Sequence, residues 1–455
     1  MTSRPEREGL AAIGVARVIA AEVLVRVFTE SAFAAAALDA ELRRHEGIDP
    51  RDIALATELV YGVLRAEGAL DARILTLAAR RSYADDARAY AHLLMGAYSL
   101  AFLDRIPAFA AVSAAVAGVR AAAGERASGF ANAVLRKLAA AMEQGERPEL
   151  SAAIAASAPG WLRGALRRSL GRKEAEAYLA AGPVPPPTGL CVARGEDRAA
   201  WIERLSAAAK DGTFALGEVS PRAILARGAG DVRTLPGAGD AWIVQEEGAQ
   251  VVALAAGVAT GERVLDACAG RGNKSWLLAQ EVGPTGAVDA SDLYPAKLAQ
   301  LRSGPPGKLV RATYAVDWTA GTGEVPTDYD VVIVDAPCSG TGTLRRRPEI
   351  GRTREAEDLP RLSALQAQIT SGAASRARDG ARLVFAVCSV LREEGEAVVT
   401  KLLDAHEGDA VLEAAPFTGE LGQRLASGGH YFRVLPTVHG TDGYFVASFR
   451  VRKRP

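Results

Sequence analysis

Two of the chain's 4 cysteines stand just past strand-like apolar runs. Cys338 closes VVIVDAPC, with Asp335 and Pro337 beside it, and Cys388 closes RLVFAVC. A thiolate can add to an electron-poor ring and divide one difficult substitution into two easier ones. Cytosine illustrates the need, because its C5 is too weak a nucleophile to take a methyl group until sulfur has added at C6. The methylated adduct must then lose its C5 proton and expel the thiol, which calls for a second group acting as base. Two cysteines at neighbouring strand ends supply one group to attack and one to help release. Asp335 could stabilise charge developing at N3 and N4 of the base. Either cysteine alone is more often a small buried hydrophobe, so the pair carries the expectation.

A methyl group needs a donor. The segment Asp266-Ala-Cys268-Ala269-Gly270-Arg271-Gly272-Asn273-Lys274-Ser275 follows RVL, and its two glycines let backbone approach a ligand while the next helix opens with free amides. It is not an ATP-binding P-loop, since Asn273 and Cys268 stand where that motif requires glycine. Asp292 ends the next strand-like run and could accept hydrogen bonds from two ribose hydroxyls. Asp317, in AVDWTAG, could receive an exocyclic adenine amine. Taken singly, each acid is more often a cap or turn residue. Together, and with no hydride-transfer fingerprint, they point to S-adenosyl-L-methionine.

Elements that place residues at strand ends must alternate, and from Glu262 they do. RVLDACAG, GAVDASD, YDVVIVDAP, ARLVFAVCS and GYFVASFRV interleave with helix-like stretches. That rhythm predicts a mostly parallel, doubly wound sheet whose ligands sit at the carboxyl ends of its strands. From about Val15 to Leu138 the sequence is alanine-rich with helical spacing. Ala16, Ala20, Val23, Leu24 and Val27 would share a helix face, and Gly47, Pro107 and Gly124 fall at breaks. Pro183, Pro185, Pro186 and Pro187 form a stiff connector. The expected regions are an all-α domain over 10–145, a linker with a small α+β region over 150–240, and an α/β Rossmann-like domain over 241–455.

Length is consistent with this multidomain reading, at 455 residues. Lys plus Arg and Asp plus Glu each total 54, so no global positive field draws the protein to nucleic acid. An RNA contact would be local. The run RRRPEIGRTR, with Arg345, Arg346, Arg347, Arg352 and Arg354, is a candidate, against the common reading of a solvated face. The cysteines form no CxxC pair, His numbers 5, and the expectation is no metal, no membrane span, a cytoplasmic protein with reduced thiols and, by default, a monomer.

The ordered segments VQEEGAQVVALAAG, GERVLDACAGRGNKS, VDAPCSGTGTLRRRPEI, LQAQI, AVCSVLREEGEAVV and DGYFVASF resemble the Sun (Nop/Sun) family of RNA 5-methylcytosine methyltransferases. ELVYGVLRAEGALD, GAYSLAFLDRIPAFAAVSAAV and GFANAVLRKLAA resemble the NusB-like domain that precedes the catalytic part in the bacterial 16S rRNA members. The resemblance spans nearly the whole chain. It implies Cys388 as nucleophile and Cys338 as the residue assisting release, with Asp335 at the base and near the cofactor's methionine end. It further implies that Cys268 to Lys274, Asp292 and Asp317 hold S-adenosyl-L-methionine, and that the partner is RNA, foremost 16S rRNA. The family's loop reads like DxCAAPGGKT; here Gly270-Arg271 replaces Ala-Pro and Asn273 replaces a glycine, while Val387 stands where a threonine precedes the cysteine and Cys191-Val192-Ala193 where Arg-Val-Asn is usual. The rival readings are an RNA-binding or ribosome-assembly protein with a decayed site, separable by cofactor binding, and the same chemistry on a tRNA.

Overall fold

The computed structural model describes residues 13–454 except 46, 79–80, 183, 210 and 406–408. Pro183 of the expected connector therefore lies outside the described residues. The chain divides into two compact units that do not follow its order. One takes the chain up to Arg163 together with Glu176–Pro185 and Leu344–Arg354; the other takes Gly164–Ala175, Pro186–Thr343 and Glu355–Pro455.

The first unit is helical. Its longer helices span Val15–Glu30, Ala34–Arg44, Pro50–Leu75, Ala87–Phe102 and Ala108–Glu143. Ala16, Ala20, Val23, Leu24 and Val27 are all buried in the first, as the spacing predicts. Asp49 caps the third helix by accepting the Arg51 N–H at 2.7 Å, with Pro50 at the first helical position. Gly124 takes φ 80° and ψ −173° and breaks the helix Ala108–Glu143 in two. By length and composition that helix could cross a membrane. Its Ala111, Val112, Ala115, Val119, Val134, Leu135 and Leu138 instead belong to the apolar core of this unit.

Leu344–Arg354 lies in the same unit, and it is not the free cationic face the arginine run suggests. Arg352 Nη1 meets Glu67 Oε1 at 2.6 Å, and its guanidinium lies 4.6 Å from the centre of the Phe28 ring. Arg347 covers the Phe33 ring at 4.7 Å, and Arg65 donates to the Arg345 carbonyl at 2.9 Å. Glu349, 2 % exposed, accepts the Ala34 N–H at 3.2 Å. Planar guanidinium groups stack on rings and pair with acids more readily than they hold water, so the run is spent largely on intramolecular contacts.

The second unit holds two sheets. The smaller is antiparallel, β1 (Thr188–Val192), β2 (Thr213–Leu216), β3 (Ala223–Arg227) and β4 (Trp242–Val244) in the order β2-β3-β1-β4. Cys191 is fully buried in β1 and its thiol is pushed far up by burial, the behaviour of a core residue. The larger sheet contains β5 (Arg263–Asp266), β6 (Ala287–Asp292), β7 (Ala312–Ala315), β8 (Tyr329–Asp335), β9 (Ala377–Val387), β10 (Ala410–Ala414), β11 (Tyr431–Val434) and β12 (Tyr444–Lys453). Its order is β10-β12-β9-β8-β5-β6-β7, with β11 paired to β12. Strands β7, β6, β5, β8 and β9 run parallel, whereas β12 pairs antiparallel with β9, β10 and β11. The chain starts at β5 and proceeds first to one side and then to the other, so the switch point lies between β5 and β8. In such sheets ligands bind at the carboxyl ends of the switch strands.

Candidate active site

Parallel neighbours deliver their carboxyl ends to one edge, and that geometry brings the opening pair of cysteines together. Asp335 at the end of β8 is in register with Ala386 near the end of β9. A short way past those ends, Cys338 Sγ and Cys388 Sγ stand 3.3 Å apart. Their closeness requires a glycine. A Cβ on Gly342 would come within 1.9 Å of the Gly443 carbonyl oxygen and 2.9 Å of that of Cys388. Gly342 N–H donates to the Cys388 carbonyl at 3.0 Å, and the Gly443 N–H donates to the Gly342 carbonyl at 2.8 Å, which ties the two cysteine loops to the start of β12.

The charge pair at the site is equally local. Lys274 Nζ donates to Asp335 Oδ2 at 2.5 Å, spanning the switch between β5 and β8. Burial pulls the Lys274 ammonium down, yet Asp335's charge and hydrogen bond outweigh it and leave the group raised, with Asp266 and Cys388 adding in the same direction. Lys274 is thus a fixed cation that the Cys388 sulfur feels. The Cys338 thiol is pushed up by its hydrogen bond with Cys388 and by burial, so it keeps its proton and can donate it toward Cys388. Tyr444, missed in the sequence, closes this corner. Its ring centre lies 5.9 Å from Lys274 Nζ, and its hydroxyl is raised by burial, by Glu246 and by Cys388.

The loop after β5 is braced on all sides. Trp318 Nε1 and Ser291 Oγ donate to the Ala267 carbonyl at 2.8 and 3.0 Å, and the Ala269 N–H donates to the Ser291 carbonyl at 2.8 Å. Asp292 accepts the Gly270 N–H at 3.0 Å and the Tyr294 N–H at 2.9 Å. Gly272 sits at φ 84° as the cap of the helix Asn273–Val282. Asn273, where the related motif has glycine, is helical and carries no positive φ; its Nδ2 donates to the Val244 carbonyl at 3.1 Å. The substitution therefore adds a tie and no strain. Arg271 is exposed, and Cys268 is part-buried with its thiol pushed up by burial. Val387, fully buried, is in register with Phe445 of β12. Asp317 is exposed, and its Oδ1 accepts the Thr319 N–H and hydroxyl at 2.9 and 2.6 Å, a turn closed on itself.

Comparison with known proteins fits this geometry. Residues 253–450 match the family model 16S rRNA methyltransferase RsmB/F, and residues 15–140 match the NusB family. Ribosomal RNA small subunit methyltransferase B of Pseudomonas putida is 33 % identical over 95 % of this chain and 97 % of its own. The chain belongs to the RsmB/F family of 16S rRNA methyltransferases. The Xanthomonas campestris protein of the same name is 34 % identical over 96 % of this chain and 97 % of its own. The solved structure of PH0851 superposes with a TM-score of 0.75 at 20 % identity, over 96 % of this chain and 99 % of that one, a likeness of fold.

As an RsmB/F methyltransferase the chain uses S-adenosylmethionine, and the loop fits that cofactor. A Cβ on Gly270 would meet nothing within 4 Å. Just past Asp292, Leu293 and Tyr294 remain 51 % and 55 % exposed, an apolar face beside an acid suited to a ribose. Asp266 is fully buried, with Oδ2 accepting from Ser275 Oγ at 2.6 Å and Oδ1 without a partner among the described residues. Burial raises its carboxyl to about 6 against the opposing Ser275 bond, a cost that a cationic ligand would offset.

Proposed function

We propose that this protein is a cytosine C5 methyltransferase acting on 16S rRNA in the cytoplasm, through a covalent adduct between Cys388 and the base. The observation that carries the reading is the pair of sulfurs 3.3 Å apart at the ends of adjacent parallel strands, one of them beside a lysine–aspartate pair. N- and O-methylation have no use for such a pair, because the acceptor's own lone pair attacks.

Cys388 is the nucleophile in this reading. Lys274 supports its thiolate by charge, and the Cys338 thiol supports it by a hydrogen bond. Asp335 holds Lys274 and meets the N3/N4 edge of the base. Cofactor binding falls to Cys268 through Lys274, with Asp292 for the ribose and Asp335 at the methionine end. Bound there, S-adenosylmethionine supplies an electrophilic methyl group. Asp317 would meet the adenine amine from the turn it closes on itself. Once Cys388 is bonded to C6, Cys338 gives its own proton to solvent; as thiolate it takes the C5 proton, C5=C6 re-forms and Cys388 leaves as thiolate.

The test is transfer of a labelled methyl group to small-subunit rRNA transcribed in vitro, followed by nucleoside chromatography. Label is expected as 5-methylcytidine, none with Cys388→Ala, and a denaturant-resistant protein–RNA adduct with Cys338→Ala. Normal turnover by both variants would sink the two-thiol mechanism.

A further inference from the structure

The residue after each cysteine is a serine, and both serines enter one buried network. Ser339 Oγ lies 3.4 Å from Ser389 Oγ, and Thr341 Oγ1 lies 3.0 Å from the latter. At the centre is Glu394, fully buried. Its Oε1 accepts the Ser339 N–H at 2.8 Å and Gln366 Nε2 at 3.0 Å, and its Oε2 accepts the Ser339 hydroxyl at 2.5 Å. Gln366 Nε2 also donates to the Pro337 carbonyl at 3.0 Å. Cys338 is therefore gripped on both sides, at Pro337 and at Ser339, by groups that converge on one carboxylate.

A buried carboxylate facing neutral donors is costly and has cheaper structural substitutes. Its position suggests why it is there. We propose that Glu394 is a positioning residue for adduct release, holding the Cys338 thiol beside Cys388 through Ser339 and Gln366. The inference rests on the two-thiol reading above. Cys388 enters as thiolate and forms the bond to C6; once it is alkylated, Cys338 loses its hydrogen-bond acceptor and gives its proton to solvent. The Cys338 thiolate then removes the C5 proton, the electron pair forms C5=C6, the C6–S bond breaks, and the thiol–thiolate pair is restored. A shift in the position of Cys338 would slow the second half of this sequence and spare the first. The negative charge of Glu394 also raises the Cys338 thiol, after the larger effects of Cys388 and burial, which keeps the second sulfur protonated until it is needed.

The experiment follows formation and decay of the protein–RNA adduct in single turnover, across pH, with the full-length protein and 16S rRNA. Glu394→Ala is expected to lengthen adduct lifetime roughly tenfold while methyl transfer stays within a few-fold of the parent. Glu394→Gln keeps the shape and loses the charge. It should restore release, with the pH midpoint of release moved lower, because a thiol freed from a nearby anion ionises more readily. If Glu394→Ala does not fold, Ser339→Ala, which loses the hydroxyl's bonds to Glu394, Thr341 and Ser389 and keeps the N–H bond to Glu394, should lengthen the lifetime about threefold. Parent-like lifetimes with an unmoved pH midpoint, or equal slowing of both halves, would overturn the role given to Glu394. Absence of any adduct with Cys338→Ala would instead remove the two-thiol reading beneath it.

Discussion

The helical unit and the sheet unit bury different chemistry. In the first, Glu41, His92, Ser99, Ser128 and Glu349 are the buried polar residues among those described, scattered through a core of alanine, leucine and valine. In the second, Asp266, Ser275, Ser339, Thr341, Gln366, Ser389 and Glu394 are buried together within the loops at the carboxyl ends of β5, β8 and β9 and the helices that support them. Buried polar groups oppose folding unless satisfied, so a core in which they are few and scattered is optimised for stability and one that clusters them for placement. The difference separates a scaffold from a site.

Four substitutions probe that contrast. Asp335→Ala should lower methyl transfer by about a thousandfold, since it removes the group proposed to face the base and leaves Lys274 without its carboxylate; single-turnover rates would measure it. A loss of merely several-fold would mean that the pair is structural. Leu59→Ala, at a fully buried position of the helical unit, should cost about 2–5 kcal/mol in urea unfolding while leaving the rate of the folded fraction unchanged. A rate effect there would blur the division between scaffold and site.

Asp266→Asn should act in the opposite direction on stability, with a gain of at most about 3 kcal/mol at neutral pH, and should weaken cofactor binding. Its folded carboxyl is raised to about 6, so its stabilising contribution is present below the ordinary value of 3.8 and lost as pH rises through about 6. His92 works the other way. Its imidazole is lowered to about 4, first by burial, so the stability it contributes is full above its ordinary 6.5 and lost as pH falls through about 4. Urea midpoints across that pH range for the parent and Asp266→Asn would isolate the Asp266 contribution, since His92 is common to both. Asp317→Ala should leave stability nearly unchanged, because it opens one exposed turn. An accompanying rise in cofactor dissociation constant would keep its adenine role, and an unchanged constant would end it.

Much of the site was legible because strands announce their ends. The apolar runs before Asp266, Asp292, Asp335 and Cys388 became β5, β6, β8 and β9, and the ordered motifs gave the family. The serine following each cysteine was the available signal for the network around Glu394, but a Cys-Ser dipeptide says nothing of its partner 50 or 55 residues away. The arginine run misled for the same reason. Its sequence shows five cations, while the rings of Phe28 and Phe33 that receive two of them lie more than three hundred residues earlier.

By itself the sequence determined the helical and α/β regions, the family, and which residues stand at strand ends, because periodicity and turn chemistry are local. Tertiary structure alone decided that two thiols stand 3.3 Å apart, that Lys274 pairs with Asp335 across the switch point, and that Glu394 lies beneath Cys338. Those are distances between strands adjacent in the sheet and remote along the chain, and strand order and register set them.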